Sequence, residues 1–262
     1  MDDDLTFNTR KKGIEAGAAA VGIAAVGDLK RIDPTNDASK FLKNAKAIVI
    51  ALVPDPPGIR NADQPFEYSS LSQPGYLKAD GAALSMRNFL SREGYATHVI
   101  RREQMTDKTL AGTWIKTLSL KHAAKAAGLG SIGRHTLLIT PDHGPRVRLS
   151  GFVTDAPLET GAPFTEELCS NCGACERTCP SGAISESGFS FANCAMYLFS
   201  GLSINQLKTP DLSAISENAG RLASCASGWL ESLATGKRLY YTCGACVRNC
   251  APRRGDRASG KP

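Results

Sequence analysis

The chain has 262 residues, 42% of them hydrophobic, and a net charge of +6 from 31 basic and 25 acidic side chains. That is room for one large domain or two small ones with a real core, and too mild a charge to argue for nucleic acid by itself. No stretch is apolar enough to span a membrane, and the acidic opening MDDDLTFNTRKKG carries neither a secretory nor a twin-arginine signal, so the expected location is the cytoplasm. Nine cysteines in a reducing compartment point to metal or redox chemistry rather than to structural disulfides.

In chain order, FNTRKKGIEAGAA predicts a helix and AVGIAAV a strand. ASKFLKNA predicts a second helix and KAIVIALV a buried strand. YLKADGAALSMRNFLSREG is amphipathic, with Leu77, Ala82, Leu84, Phe89 and Leu90 near helical spacing, and YATHVIRR alternates like a strand. SLKHAAKAA predicts a short helix. TLLIT and RVRLSGFVT are strands that PDHGP would join as a turn. The run DAPLETGAPFTEE connects this part to a segment that holds every cysteine, and the basic tail RRGDRASGKP is expected to be solvated. The fold expected for residues 1–160 is a mixed α/β (α+β) domain, followed by a cysteine-rich domain over 161–262.

Gly128, Gly130 and Gly133 spell G-x-G-x-x-G, the spacing of a dinucleotide-binding loop. Such a loop needs a strand before it and a helix after it. Here a helix precedes and a strand follows. The helix N-terminus that would hold a pyrophosphate is missing, and a nicotinamide site is not expected. Gly128 falls where a helix C-cap belongs.

The strongest motif is CSNCGACERTCP, with Cys169, Cys172, Cys175 and Cys179 in the order C-x2-C-x2-C-x3-C-P. Two-residue gaps let one loop aim three thiolates at three irons of a 4Fe–4S cubane, while the fourth cysteine serves the other cluster of a two-cluster protein. Zinc sites prefer paired C-x2-C units with a spacer between them, so four close cysteines followed by proline favour the cubane. CGACVRNC supplies Cys243, Cys246 and Cys250 for a second run, whose first member must come from upstream: Cys194 or Cys225.

AAGLGSIGRHTLLITPDHGPRVRLSGFVTDAPL, followed by the cysteine run, a lone Cys194 before MYL, and YYTCGACVRNC, resembles the epoxyqueuosine reductase family. The resemblance implies a nitroreductase-like cobalamin domain (1–160), shared with reductive dehalogenases, and a ferredoxin-like domain with two 4Fe–4S clusters (161–262). It implies Cys194 as the missing ligand: Cys169, Cys172, Cys175 and Cys250 for one cluster, and Cys179, Cys194, Cys243 and Cys246 for the other. It also implies that Gly128, Gly130, Gly133, Arg134 and Thr136 border cobalamin.

The function expected from the resemblance is that of an oxidoreductase. Its clusters would take electrons from a low-potential donor and reduce a bound cobalamin, which reduces a small organic substrate. The alternative is an electron-transfer protein that serves a partner such as a corrinoid protein. Two departures from the family stand out. The acid expected ahead of the long helix is replaced by Gly75 in SQPGYLKADG, which leaves Tyr76, or Tyr68, as proton donor with Asp80 nearby. The sequence also ends twelve residues after Cys250, without a helical-repeat segment, which speaks against tRNA as a partner. The four histidines, His98, His122, His135 and His143, form no motif; His135 borders the glycine loop.

Overall fold

The structure, a computed structural model, describes residues 3–62, 65–100, 118–191, 193–194, 197 and 243–251. Cys225 and the basic tail lie outside the described residues. The central element is β2 (Ala47–Pro54), seven of whose eight residues are buried. A run of Ile, Val and Leu without polar alternation belongs to a strand covered on both faces. β2 lies between β1 (Ala20–Ala25) and β6 (Val147–Thr154), and β3 (Thr97–Ile100) pairs with the other side of β6. The order is β1-β2-β6-β3, antiparallel throughout.

Alternate residues of β2 feed two cores. Val49 and Ala51 join Val21, Ile23 and Phe152 beneath α1 (Asp3–Glu15) and α3 (Pro65–Arg92), which contribute Leu5, Ala82, Met86 and Leu90. Ile48, Ile50 and Leu52 join Val153 on the opposite face, under α2 (Val26–Ile32) and α4 (Leu120–Ala126), with Leu29, Ala123, Ala124 and Ala126. The product is a three-layer helix–sheet–helix sandwich, a mixed helix-and-strand fold.

Three elements differ from the sequence reading. ASKFLKNA is not an α-helix but a 3-10 turn over Ala38–Lys40, which Asp37 caps by accepting from the Ser39 N–H. α3 begins well before the amphipathic stretch and carries Pro74 inside it. TLLIT does not pair with RVRLSGFVT. Its core, β5 (Leu138–Ile139), pairs with β4 (Ser131–Ile132), and β6 is enclosed by β2 and β3. Between β5 and β6 only a single bridge forms, Thr140 to Gly144.

The connecting run is anchored rather than loose. Ala156 and Leu158 are buried in the core beneath α3. The Glu159 N–H donates to Thr6 Oγ1, and the Gly161 N–H donates to the Ile23 carbonyl at 2.8 Å. Among the described residues no helix is long and apolar enough to cross a membrane.

Candidate iron–sulfur site

The cysteine segment is built on a repeated device. Cys172-Gly173-Ala174-Cys175 and Cys243-Gly244-Ala245-Cys246 each place glycine in the left-handed region, at φ 72° and 66°. Each glycine opens a four-residue helix, α5 (Ala174–Arg177) or α6 (Ala245–Arg248). Gly244 has a second reason to lack a side chain. A Cβ there would lie 2.4 Å from the ring of Tyr68, which is 1% exposed. The second loop is thus seated on α3. Arg248 donates to the Ala62 carbonyl, and Arg146 donates to the Cys250 carbonyl at 3.2 Å.

Cys169, Cys172, Cys175 and Cys250 line one cavity, together with Arg134 and His135. Electrostatics group the thiols the same way: burial pushes the Cys250 thiol up to about 12, and Cys169, Cys175 and Cys172 add to it. A second group forms around Cys194, pushed up to about 11 by burial and then by Cys179 and Cys243. Burial pushes Cys246 up to about 12, with Cys243, Cys194 and Cys179 next in effect. Cys179 is an exception. Burial raises it, but bonds from Ser181 and from the Ala183 N–H at 3.3 Å outweigh this and hold the thiol low. The backbone N–H of Ala174 lowers Cys172.

None of these eight cysteines forms a disulfide. Among the described residues no three His, Cys, Asp or Glu gather tightly enough for a single ion. An all-thiol set spread around a cavity fits an iron–sulfur cluster, which takes one thiolate at each of several irons, better than one zinc drawing four sulfurs to about 2.3 Å.

The glycine motif resolves into three local jobs. Gly128, at φ 81°, ends α4 in a Schellman motif: its N–H donates to Lys125 O, and that of Leu129 donates to Ala124 O. At Gly130 a Cβ would sit 2.1 Å from the Ile139 carbonyl, where β4 and β5 press together. Gly133 starts a three-residue hairpin loop. Its carbonyl accepts from Thr136 N–H, its N–H donates to Leu137 O, and Thr136 takes the left-handed conformation at φ 60°. A Cβ at Gly133 would strike Ile139 and His135.

These glycines are therefore filled by protein. Arg134 pairs with Glu176 at 3.0 Å, and Thr136 Oγ1 accepts from Lys121 at 3.3 Å. Protein packing alone accounts for the three glycines. What the hairpin does is carry Arg134 and His135 to the cysteine cavity. His135 is 3% exposed, and burial, followed by the Lys121 charge, brings its ring down to about 4.

Tyr76 stands beside a buried charge that the sequence reading missed, with Arg148 Cζ 4.8 Å from its ring centroid. Tyr68, Ser72, Tyr76 and Asp80 recur every fourth residue on α3 and form its polar stripe. β6 answers with Arg148 and Ser150. Arg148 donates to Tyr76 Oη at 3.0 Å and to Tyr68 Oη at 2.7 Å, and it grips both Asp55 oxygens at 2.7 and 2.6 Å. Ser150 donates to Asp80 at 2.7 Å. Burial pushes the Tyr68 hydroxyl well above its usual range. Burial opposes the charge on Arg148, but Tyr76, Tyr68 and Asp55 together hold the guanidinium charged. Gly75 backs onto this group: a Cβ there would stand 3.1 Å from Arg148 Cγ and 3.5 Å from Asp55 Oδ1. The signal was present in the sequence. Arg148 occupies a core-facing position in RVRLSGFVT, where an unpaired charge is not tolerated.

Residues 162–185 match the 4Fe–4S binding domain model. By sequence the chain is 41% identical over 61 residues to the epoxyqueuosine reductase of Listeria monocytogenes, which covers 23% of this chain and 16% of that one. It is 40% identical over 81 residues to the tetrachloroethene reductive dehalogenase of Sulfurospirillum multivorans, covering 30% and 16%. The matched segments thus span about a sixth of these curated relatives. A catabolic reductive dehalogenase solved with 3-bromo-4-hydroxybenzoic acid shares the fold, with TM-score 0.57 and 22% identity over 71% of this chain and 28% of that one.

One expectation is corrected by these relatives: that tRNA is not a partner. The curated relatives include several epoxyqueuosine reductases, 41%, 31% and 43% identical over 61, 88 and 61 residues. The expectation rested on where the sequence stops, and the point at which a sequence stops says nothing about what its fold meets. The resemblance to the epoxyqueuosine reductase-like family read from the sequence is thereby shown, and with it a 4Fe–4S binding segment over residues 162–185.

Proposed function

We propose that the chain is an iron–sulfur reductase with two 4Fe–4S clusters, one on Cys169, Cys172, Cys175 and Cys250, the other on Cys179, Cys194, Cys243 and Cys246. The observation that carries this reading is the sorting of the eight thiols into two groups, each drawing on both cysteine runs. The clusters supply single electrons at low potential, taken from an external donor. The chain's own residues hold the thiolates, exclude water around Cys175 and Cys246, and keep the two runs together through α5 and α6.

The resemblance adds cobalamin as the acceptor, whose cobalt would give electrons to an organic substrate. Protein packing accounts for the hairpin glycines without it. Tyr76 is the proton donor in this reading. Its oxygen accepts from Arg148, a fixed cation placed to stabilise the charge left when a proton departs. The relatives' names leave the substrate between an RNA-borne base and a small halogenated organic molecule. The second reading, electron delivery to a partner such as a corrinoid protein, is favoured by the closed packing of the hairpin.

Anaerobic reconstitution with iron, sulfide and cobalamin, followed by gel filtration, tests both. About eight irons per chain are expected from two cubanes. Near-stoichiometric cobalt supports the cobalamin-dependent reductase. Iron without cobalt leaves the electron-transfer reading, and a chain that retains no iron defeats both.

A further inference from the structure

The hairpin tip brings one group to the cysteine cavity that neither reading uses. His135 Nδ1 accepts a hydrogen bond from the Leu137 N–H at 3.1 Å. A ring nitrogen that accepts carries no proton, so the proton of the imidazole is on Nε2, which is a donor. Nε2 is fully buried and has no hydrogen-bond partner among the described residues. Buried donors are rarely left without an acceptor, because the lost water is not replaced. The ring lines the same cavity as Cys169, Cys172, Cys175 and Cys250, and the tight turn from Gly133 fixes its Nδ1 edge toward the backbone. The acceptors that chemistry would place in that cavity are sulfurs.

We infer that His135 Nε2–H donates to a sulfur of the cluster held by Cys169, Cys172, Cys175 and Cys250, and thereby raises that cluster's reduction potential. This rests on the cluster reading above. A reduced cluster carries one more negative charge, spread over its sulfurs, so an N–H···S bond is stronger in the reduced state and favours it. His135 is a positioning residue in this role. It moves no proton and touches no substrate; it favours the reduced state of the cluster it bonds.

The test uses the reconstituted full chain and redox titration followed by electron paramagnetic resonance. His135→Asn keeps an acceptor near the Nδ1 position and removes the distal donor. His135→Gln puts an amide N–H near the Nε2 position. In His135→Asn one cluster should become about tenfold less reduced at a fixed potential, a fall of about 59 mV for a one-electron couple, while the other cluster does not move. His135→Gln should recover most of the shift. In the unsubstituted protein labelled with 15N-histidine, the reduced cluster should show a histidine nitrogen coupling, a readout that does not depend on either variant folding. Unchanged potentials in His135→Asn with full iron content, or no nitrogen coupling in the labelled protein, overturn the inference. Absence of any cluster signal in the unsubstituted protein overturns the cluster reading instead, so the two failures are told apart.

Discussion

Gly244→Ala should destabilise the protein distinctly more than Gly173→Ala, although the two glycines hold the same place in two C-G-A-C runs. Both sit in the left-handed region, at φ 66° and 72°, where a Cβ costs about 1–2 kcal/mol. At Gly173 the added Cβ meets only the Arg177 guanidinium nitrogen at 2.8 Å, the far end of a flexible chain that can swing aside. At Gly244 it meets three Tyr68 ring atoms at 2.4–2.5 Å. That ring is buried beneath α3 and its hydroxyl is gripped by Arg148, so it cannot retreat. Overpacking of this kind adds about 1–3 kcal/mol. The expected totals are about 1–2 kcal/mol for Gly173→Ala and about 2–5 kcal/mol for Gly244→Ala. In a chain of this size the difference corresponds to roughly 2–12 °C in melting temperature. Circular-dichroism melts of the anaerobically reconstituted proteins measure it, and the rate of iron loss to a chelator should rank the variants in the same order. Adding Tyr68→Ala opens the space and should make the double variant less unstable than the sum of the singles. Equal melting shifts for the two glycine variants would refute the reasoning, because they would mean that Tyr68 does not bear on the second loop.

Arg148→Met removes the guanidinium that grips both Asp55 oxygens, leaving a carboxylate whose side chain has no solvent exposure, and should cost about 3–5 kcal/mol in urea unfolding; Asp55→Asn in the same chain should restore part of it. Cys172→Ala should lose iron, whereas Cys225→Ala should keep both clusters; iron analysis beside the visible absorption of the cluster decides each. Stability should fall on acidification, and one pair, His122 and Asp33, whose Nδ1 and Oδ2 stand 2.9 Å apart, contributes to two stages of the fall. Burial, and then Lys121, holds the folded His122 below its ordinary 6.5, so the folded state binds fewer protons than the unfolded one and stability drops as pH falls from about 6.5. Burial raises Asp33, but bonds from the Thr35 hydroxyl and N–H bring it below 3.8, so its contribution is present above that value and is lost as pH falls through its folded one. Urea midpoints against pH should show His122→Gln flattening part of the upper limb, the rest of which belongs to buried His135, and Asp33→Asn flattening part of the lower.

Most of the sandwich was legible because its elements obey local rules. KAIVIALV could only be a doubly covered strand, and Ala-rich SLKHAAKAA with Gly128 behind it could only be a short helix with a left-handed stop. The cysteine runs were legible because ligand spacing is set by the cluster and not by the surrounding fold. What stayed hidden depends on distance along the chain. TLLIT was assigned to the wrong neighbour because the turn in PDHGP is real, but β6 was already claimed on both edges by β2 and β3. ASKFLKNA has helical periodicity, yet the capping bond from Asp37 fixes only a single 3-10 turn. The Arg148, Asp55, Tyr68 and Tyr76 group draws on residues up to 93 positions apart, and no local pattern unites them. Tyr76 was singled out for its place near an absent acid; the carboxylate beside it comes from Asp55, one residue past the end of β2.

The cavity beside His135 takes three walls from one stretch of chain and its fourth, Cys250, from about eighty residues later. At a synthesis rate of about 5–20 residues per second, the first three thiols are made roughly 4–16 s before the fourth. For that interval a nascent chain displays C-x2-C-x2-C with nothing to close it. The order of translation thus bears on maturation: the four-cysteine cavity is complete only once the last cysteine run has docked against Tyr68.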